Sequence, residues 1–363
     1  MKVRYVSVEV LRTPVAAPYV AAGHAVDANW QVVSIVETDT GITGFGYVVQ
    51  PRAELVAAIA AATRELGGWL VGCRADEPEA AWASLYRRAS WVGPGGLLHW
   101  ALASLDIAMW DAAARAAGLP LYRMLGGGRS SVPAYASDRL WYSLERDALQ
   151  TSVRAHAGAG FRAAKLRLSH HGSPDAQAER VASARAAVHP PLDIMVDATE
   201  GWSERTALAA GRAIGEAGGT WLEDPLHHTN LAGLRRLRER LDIQVAGGEH
   251  YYTLDQFRTC LAHEALDVVI LDLARVGGIT PWRKIAALAE AHHVPVCGHV
   301  VPEVHAHLVA SAPNGLMVEY MPRSLEMLTP LLPPHNGEVI LSDAPGHGLA
   351  LAADALDRYR QVP

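Results

Sequence analysis

A cationic excess, a cysteine framework and a long apolar run are all missing from this sequence, and each absence closes off a class of function. Over 363 residues the formal charge is −6, so no basic footprint marks nucleic acid as a partner. No apolar run approaches the length needed to cross a bilayer, which excludes a membrane span. Met1 to Pro14 reads as an alternating strand and lacks the charged-then-apolar layout of a signal peptide, so a cytoplasmic protein is expected. The three cysteines, Cys73, Cys260 and Cys297, are far apart and fit no metal-knuckle spacing. They read as buried small hydrophobes in a reducing compartment. Lysine is scarce too: Lys2, Lys165 and Lys284 stand against many arginines.

What is present is a large core, since half of the residues are hydrophobic. The length suits two domains, or a barrel with additions. Val3 to Leu11, Gln31 to Glu37 and Thr43 to Val48 alternate like antiparallel strands. Helical spacing follows over Pro51–Gly67 and Pro78–Arg88, then in a strongly amphipathic Leu97–Ala117 that stops at Gly118-Leu119-Pro120. From Val132 the rhythm changes. Short apolar runs near Val132, Ala163, Asp193, Thr220, Gln244, Val268, Val294 and Leu316 alternate with helical stretches. Thr253 with Gln256 has capping-box spacing, and Thr280-Pro281 places a cap before a first-turn proline. Eight strands separated by helices predict a TIM-like (β/α)7β barrel, an α/β fold, behind an α+β N-terminal capping domain. The expected divisions are a capping domain at 1–128, the barrel at 129–335, and a segment 336–363 that packs back on the capping domain. From Gly346 onward the tail has no partner strand in this scheme.

In such a barrel the reactive groups sit at the C-terminal ends of the strands. Strand two ends in Lys165-Leu166-Arg167, strand three in Asp197, strand four in Glu223 and strand five in Glu249; then come Asp272, His299 and Glu319. Asp197 and Glu223 are 26 residues apart, and so are Glu223 and Glu249. One βα unit separates each pair, so three carboxylates should converge at one end of the barrel. Their mutual repulsion is relieved by a hard divalent cation with oxygen ligands, and Mg²⁺ keeps open positions for substrate oxygens. One unit further on, Asp272 can accept the Nδ1 proton of His299 and leave Nε2 to take a proton from substrate.

The ordered set resembles the enolase superfamily, and within it the mandelate racemase subgroup. The text from Asp106 to Gly127, the stretch Leu271 to Thr280, the segment His299 to His307 and Val318-Glu319 carry the likeness over nearly the whole chain. The resemblance implies Mg²⁺ on Asp197, Glu223 and Glu249, holding a small-molecule carboxylate substrate and stabilising the enediolate formed when its α-proton leaves. It implies His299, oriented by Asp272, as a base, Glu319 kept protonated to donate to the carboxylate, and Lys165 as a positive charge beside it. It also implies a homo-oligomer.

The departure is Arg167, where the family pattern has a second lysine acting as a base. An arginine stays charged. Racemisation needs a base on each face, whereas dehydration runs with one. An acid-sugar dehydratase, acting on an aldonate or aldarate to give a 2-keto-3-deoxy product, is therefore expected. The alternatives are a racemase or epimerase of a 2-hydroxy acid, or a non-catalytic regulatory member. Cycloisomerases of the superfamily place lysine on the sixth strand, so the Asp272–His299 pair counts against them. Substrate contacts are expected from Tyr19 and His24 in a loop near residues 15 to 30, from Trp91, from Thr199 and from His250.

Overall fold

Alternating apolar residues in the first fifty positions build an antiparallel sheet, and the computed structural model carries it further than the alternation predicts. The structure describes residues 1–21, 24–330 and 333–361. Strands β1 (Val3–Ala21), β2 (His24–Thr38) and β3 (Thr43–Gln50) pair in order. Of the segment expected as a loop near residues 15 to 30, residues 15–21 and 24–30 are instead the far end of the β1–β2 hairpin, with Pro14 opposite Ala28 and Tyr19 opposite Val26. Pro14 and Pro18 hide it from sequence patterning because they lack ladder donors; a register shift between Pro14 and Tyr19 absorbs them.

Helices α1 (Val56–Leu70), α2 (Pro78–Ala89) and α3 (Gly96–Ala116) follow, then the short α4 (Leu121–Met124). The expected amphipathic stripe on α3 is not there. From Ala101 to Ala114 every residue is buried, so this helix has no solvent face over those turns. One side packs on β3 and another meets the barrel. The approach to β3 is set by glycine: a Cβ on Gly46 would stand 2.2 Å from the Ser104 carbonyl oxygen. No side chain fits there.

The barrel strands are β4 (Ser131–Ala136), β5 (Ala163–Arg167), β6 (Asp193–Asp197), β7 (Gly219–Glu223), β8 (Gln244–Gly247), β9 (Val268–Asp272), β10 (Val296–His299) and β11 (Gly315–Tyr320). Between them run α5 (Arg146–Gly158), α6 (Pro174–Arg185), α7 (Glu204–Glu216), α8 (Leu231–Arg238), α9 (Leu254–Ala262), α10 (Leu273–Val276), α11 (Ile279–Ala291) and α12 (Pro302–Ser311). All eight strands pair in parallel, and β11 closes on β4 with Glu319 opposite Tyr135. The expected (β/α)7β barrel with its capping domain is the fold observed. Tyr135, Met195, Trp221 and Ile270 plug the barrel interior beneath the strand ends.

The tail carries strands that the sequence scheme does not assign. β12 (Leu328–Thr329) pairs with β14 (Ala350–Leu351), and β13 (Glu338–Ile340) lies antiparallel on β4. After α13 (Ala355–Tyr359), β15 (Arg360–Gln361) joins β1 at Val10 and Leu11, so the tail does supply the capping sheet with a strand. The capping box at Thr253 and Gln256 is formed. Thr280 is not a cap: α11 begins at Ile279 behind Gly278, and Thr280 turns to Asp106 of α3. Cys260 and Cys297 are buried and Cys73 is half-buried. Among the described residues no helix is long and apolar enough to cross a membrane.

Candidate active site

Parallel pairing does the first part of the assembly. Arg167 lies opposite Asp197, Asp197 opposite Glu223, and Asp272 opposite His299. Residues in register on adjacent parallel strands share one level of the barrel, so these chemical groups reach the same rim without help from any loop. Glu249 lies two residues past the end of β8, where the chain has already turned out of the strand.

His299 Nδ1 is 2.6 Å from Asp272 Oδ2, and the other Asp272 oxygen accepts from the backbone N–H of Arg275 at 2.8 Å. Asp272 therefore caps α10 and fixes the imidazole together. His299 Nε2 faces Glu249 Oε2 at 3.0 Å and Glu319 Oε2 at 3.6 Å. Burial pulls the imidazole down, but Glu249, Glu319 and Asp272 outweigh it and push it up to about 10.

Glu319 gathers donors from four directions. Its carboxyl is fully buried and accepts from Ser137 Oγ at 2.5 Å, Arg167 Nη2 at 3.0 Å and the Val300 N–H at 3.1 Å, with Lys165 Nζ at 3.2 Å. Burial alone would raise it; Lys165, His299 and Arg167 together hold it well below the usual carboxylate range. In this arrangement its oxygens accept from Ser137, Arg167 and Val300.

Lys165, also fully buried, reaches Glu223 Oε1 at 2.5 Å and Asp197 Oδ2 at 3.9 Å. Burial disfavours its charge, yet Glu223, Glu319 and Asp197 raise its pKa and keep it an ammonium. Arg167 donates through Nη1 to the backbone oxygen and hydroxyl of Ser137, each at 2.7 Å, and its guanidinium lies 4.5 Å from the Trp141 ring. It is held as a fixed cation.

A cavity of about 600 Å³ opens above these groups. Arg167, Asp197, Thr199, Glu249, Asp272 and His299 line it, and Trp100 and Val49 close it from the capping domain. Thr199 meets His170 Nε2 at 2.6 Å, and its N–H donates to Asp197. Tyr19 stacks on Trp141 at 4.2 Å and so acts on the wall from behind. Trp91 is not brought in. It is 98% exposed on a 3₁₀ turn, Ser90–Val92, whose direction the sequence pattern does not encode. His250 also stays out of the lining, with Nε2 3.4 Å from Asp224 and 3.7 Å from Glu249 and Nδ1 on Arg275. It braces Glu249 from outside the cavity. His24 opens β2, and its side chain lies outside the described residues. Sequence reasoning missed Ser137, Trp141, Arg275 and Arg323. Ser137 directly follows β4 and was accessible to the strand-end rule; the others lie beyond the strand ends, where no periodicity marks them.

The carboxylates are suited to a metal on the chemistry of one orphaned atom. Glu223 is fully buried and its Oε2 has no hydrogen-bond partner. Burial raises its carboxyl well above the usual range, and although Lys165 pulls it back, Asp197, Glu249 and Glu319 push it up again. Burial raises Asp197 in the same way, against Lys165 and Arg167. A buried anion of this kind, beside two more, is the donor set of a hard divalent cation. The trio is gathered loosely: the three-donor sets within 4.8 Å of one another among the described residues are Glu200–His228–His250 and Asp224–Glu249–His250.

Comparison with known proteins follows the same division of the chain. Residues 4–126 match the model of the mandelate racemase / muconate lactonizing enzyme N-terminal domain, and 148–355 match that of the enolase C-terminal domain-like family. A 3,6-anhydro-alpha-L-galactonate cycloisomerase from Streptomyces coelicolor is 30% identical over 358 residues, 97% of this chain and 98% of that protein. An L-talarate/galactarate dehydratase from Salmonella typhimurium is 30% identical over 353 residues, 95% of this chain and 87% of that protein. The crystal structure of the Salmonella enzyme liganded with Mg and L-lyxarohydroxamate superposes with a TM-score of 0.94 at 27% identity, covering 99% of this chain and 93% of that one.

Proposed function

This chain belongs to the mandelate racemase / muconate lactonizing enzyme family of the enolase superfamily, and we propose that it dehydrates an acid sugar, an aldonate or aldarate, to a 2-keto-3-deoxy product with Mg²⁺ as cofactor. The observation that carries this reading is the asymmetry of the two sides of the cavity. One side holds an imidazole oriented by Asp272; the other holds Arg167, tied to Ser137 and Glu319 and permanently charged. One base suffices for elimination and fails for racemisation.

Asp197, Glu223 and Glu249 would hold the cation, which supplies electrostatic stabilisation to the charge that builds on the substrate carboxylate. Lys165 adds a second positive charge from the floor, and Arg167 a third from the wall. Glu249 faces His299 Nε2 at 3.0 Å, and its use as a metal ligand would leave that nitrogen free for the substrate proton. His299 Nε2 takes the α-proton, and the imidazolium returns a proton to the β-hydroxyl as its C–O bond breaks and water departs. The resulting enol tautomerises to the 2-keto acid. Glu319, as a carboxylate, holds Arg167 and Lys165 in place.

A second reading is favoured by the Streptomyces relative, which is named a cycloisomerase and matches end to end. The same base would serve if the departing β-oxygen belonged to a ring of the substrate; the product would then be an isomer, with no water lost.

The test is incubation with Mg²⁺ and a panel of aldonic, aldaric, anhydro-aldonic and lactone substrates, with 2-keto acids trapped as semicarbazones and weighed by mass spectrometry. Turnover is expected to fall at least about 100-fold in His299→Asn and to vanish in EDTA. Inversion of a 2-hydroxy acid without keto-acid formation would sink the proposal.

A further inference from the structure

Arg167, Arg275 and Arg323 line the cavity, and two of them are already committed. Arg167 is held by Ser137 and Glu319. Arg275 donates through Nη1 to the Glu249 carbonyl oxygen at 2.8 Å and to His250 Nδ1 at 2.8 Å. Arg323 differs. Its side chain has one polar contact, from Nε to the sulfur of Met321 at 3.1 Å, and thioether sulfur is a weak acceptor. Among the described residues no carboxylate pairs with its guanidinium. A half-buried cation facing a cavity with both Nη groups uncommitted is a receptor for an anion.

The guanidinium is also held in place from the other domain. Arg323 lies on the segment after β11, and its backbone oxygen accepts from Gln31 Nε2 at 3.0 Å. Gln31 is fully buried on β2 and donates to Thr13 Oγ1 at 2.8 Å as well. The capping sheet thus anchors the backbone that carries the one uncommitted guanidinium among the described residues of the lining. Arg323 itself is half-buried and lines the cavity.

We infer that Arg323 forms a second anion subsite that takes the distal carboxylate of a dicarboxylic acid sugar, so that aldarates are the preferred class over aldonates. This rests on the acid-sugar reading and narrows it. A substrate ending in a hydroxymethyl group leaves the guanidinium without its counter-ion. A carboxylate at the same position satisfies two parallel N–H donors.

The experiment compares matched pairs that differ only at the terminal carbon, galactarate with galactonate and glucarate with gluconate. Each is measured with the wild-type enzyme, Arg323→Gln and Arg323→Lys in Mg²⁺. Keto-acid formation gives kcat/KM, and calorimetry in a His299→Asn background gives affinity without turnover. The diacid-to-monoacid ratio is expected to fall about 10- to 100-fold in Arg323→Gln and to be partly retained in Arg323→Lys. A ratio near one in the wild type, or one that both variants leave within about threefold, overturns the subsite, whereas keto acid from aldonates would still uphold dehydration. Arg323-dependent diacid binding without any keto acid upholds the subsite and sinks dehydration. If Arg323→Gln does not fold, the Arg323→Lys ratio decides.

Discussion

Glu223 keeps one oxygen on Lys165 and the other buried with no partner. An unpaired buried carboxylate oxygen is costly, and a site retains one where a ligand satisfies it. The same rim carries backbone strain next to Asp197. Thr199 has φ of 43° and Glu200 of 59°, the left-handed region that a β-branched residue adopts poorly. Asparagine is the ordinary occupant of such a position. Thr199→Asn is therefore expected to raise unfolding stability by about 1 kcal/mol, read from the urea midpoint. A lowered midpoint would mean that the Thr199–His170 bond outweighs the strain. Residue identity at the strand ends was legible because barrel topology dictates where a strand ends. The donors around Glu319 were not, because Ser137, Arg167, Lys165 and Val300 arrive from distant parts of the chain.

At the scale of elements, α3 and α11 meet through one buried acid. Asp106 accepts from the Thr280 N–H at 2.8 Å and from its hydroxyl at 2.7 Å, in the place of an N-cap for α11. Gly278, at φ of 110°, makes room: a Cβ there would sit 2.5 Å from the Asp106 carboxylate. Burial pushes Asp106 from 3.8 up to about 7, against the pull of the Thr280 bonds. A folded value above the unfolded one means stability is fully present below pH 3.8 and is lost as pH rises through about 7. At about 1.4 kcal/mol per pH unit that loss amounts to about 4 kcal/mol. Asp106→Asn is expected to flatten the dependence, measured as urea unfolding from about pH 4 to about pH 8. A wild-type profile as flat as the variant's over that range would refute it. Two stretches that carry the family likeness separately in sequence, Asp106 to Gly127 and Leu271 to Thr280, are here two halves of one contact.

At the scale of the whole molecule, the cavity exists because a capping domain sits over the barrel mouth: Trp100 and Val49 come from one side and the strand-end acids from the other. A cation bound by the folded acids and not by the unfolded chain stabilises by mass action. Mg²⁺ at about a hundred times its dissociation constant is expected to add about 2.7 kcal/mol. Thermal melting with Mg²⁺ or EDTA, in wild type and in Glu223→Gln, checks this. The gain should shrink in the variant, and a wild-type melt indifferent to Mg²⁺ would remove the trio from consideration as a metal site.

By itself the sequence determined the barrel, its strand order and the identity of the acids, lysine, arginine and histidine at its rim. Period and spacing are local properties, and parallel topology converts them into position. Only the tertiary structure decided that residues 15–21 and 24–30 extend a hairpin, that α3 is buried all round from Ala101 to Ala114, that Glu319 gathers Ser137, Arg167 and Val300, and that Trp91 is exposed while Arg323 lines the cavity. Each of those depends on contacts between residues far apart in the chain, where burial and neighbouring charge, rather than periodicity, set the outcome.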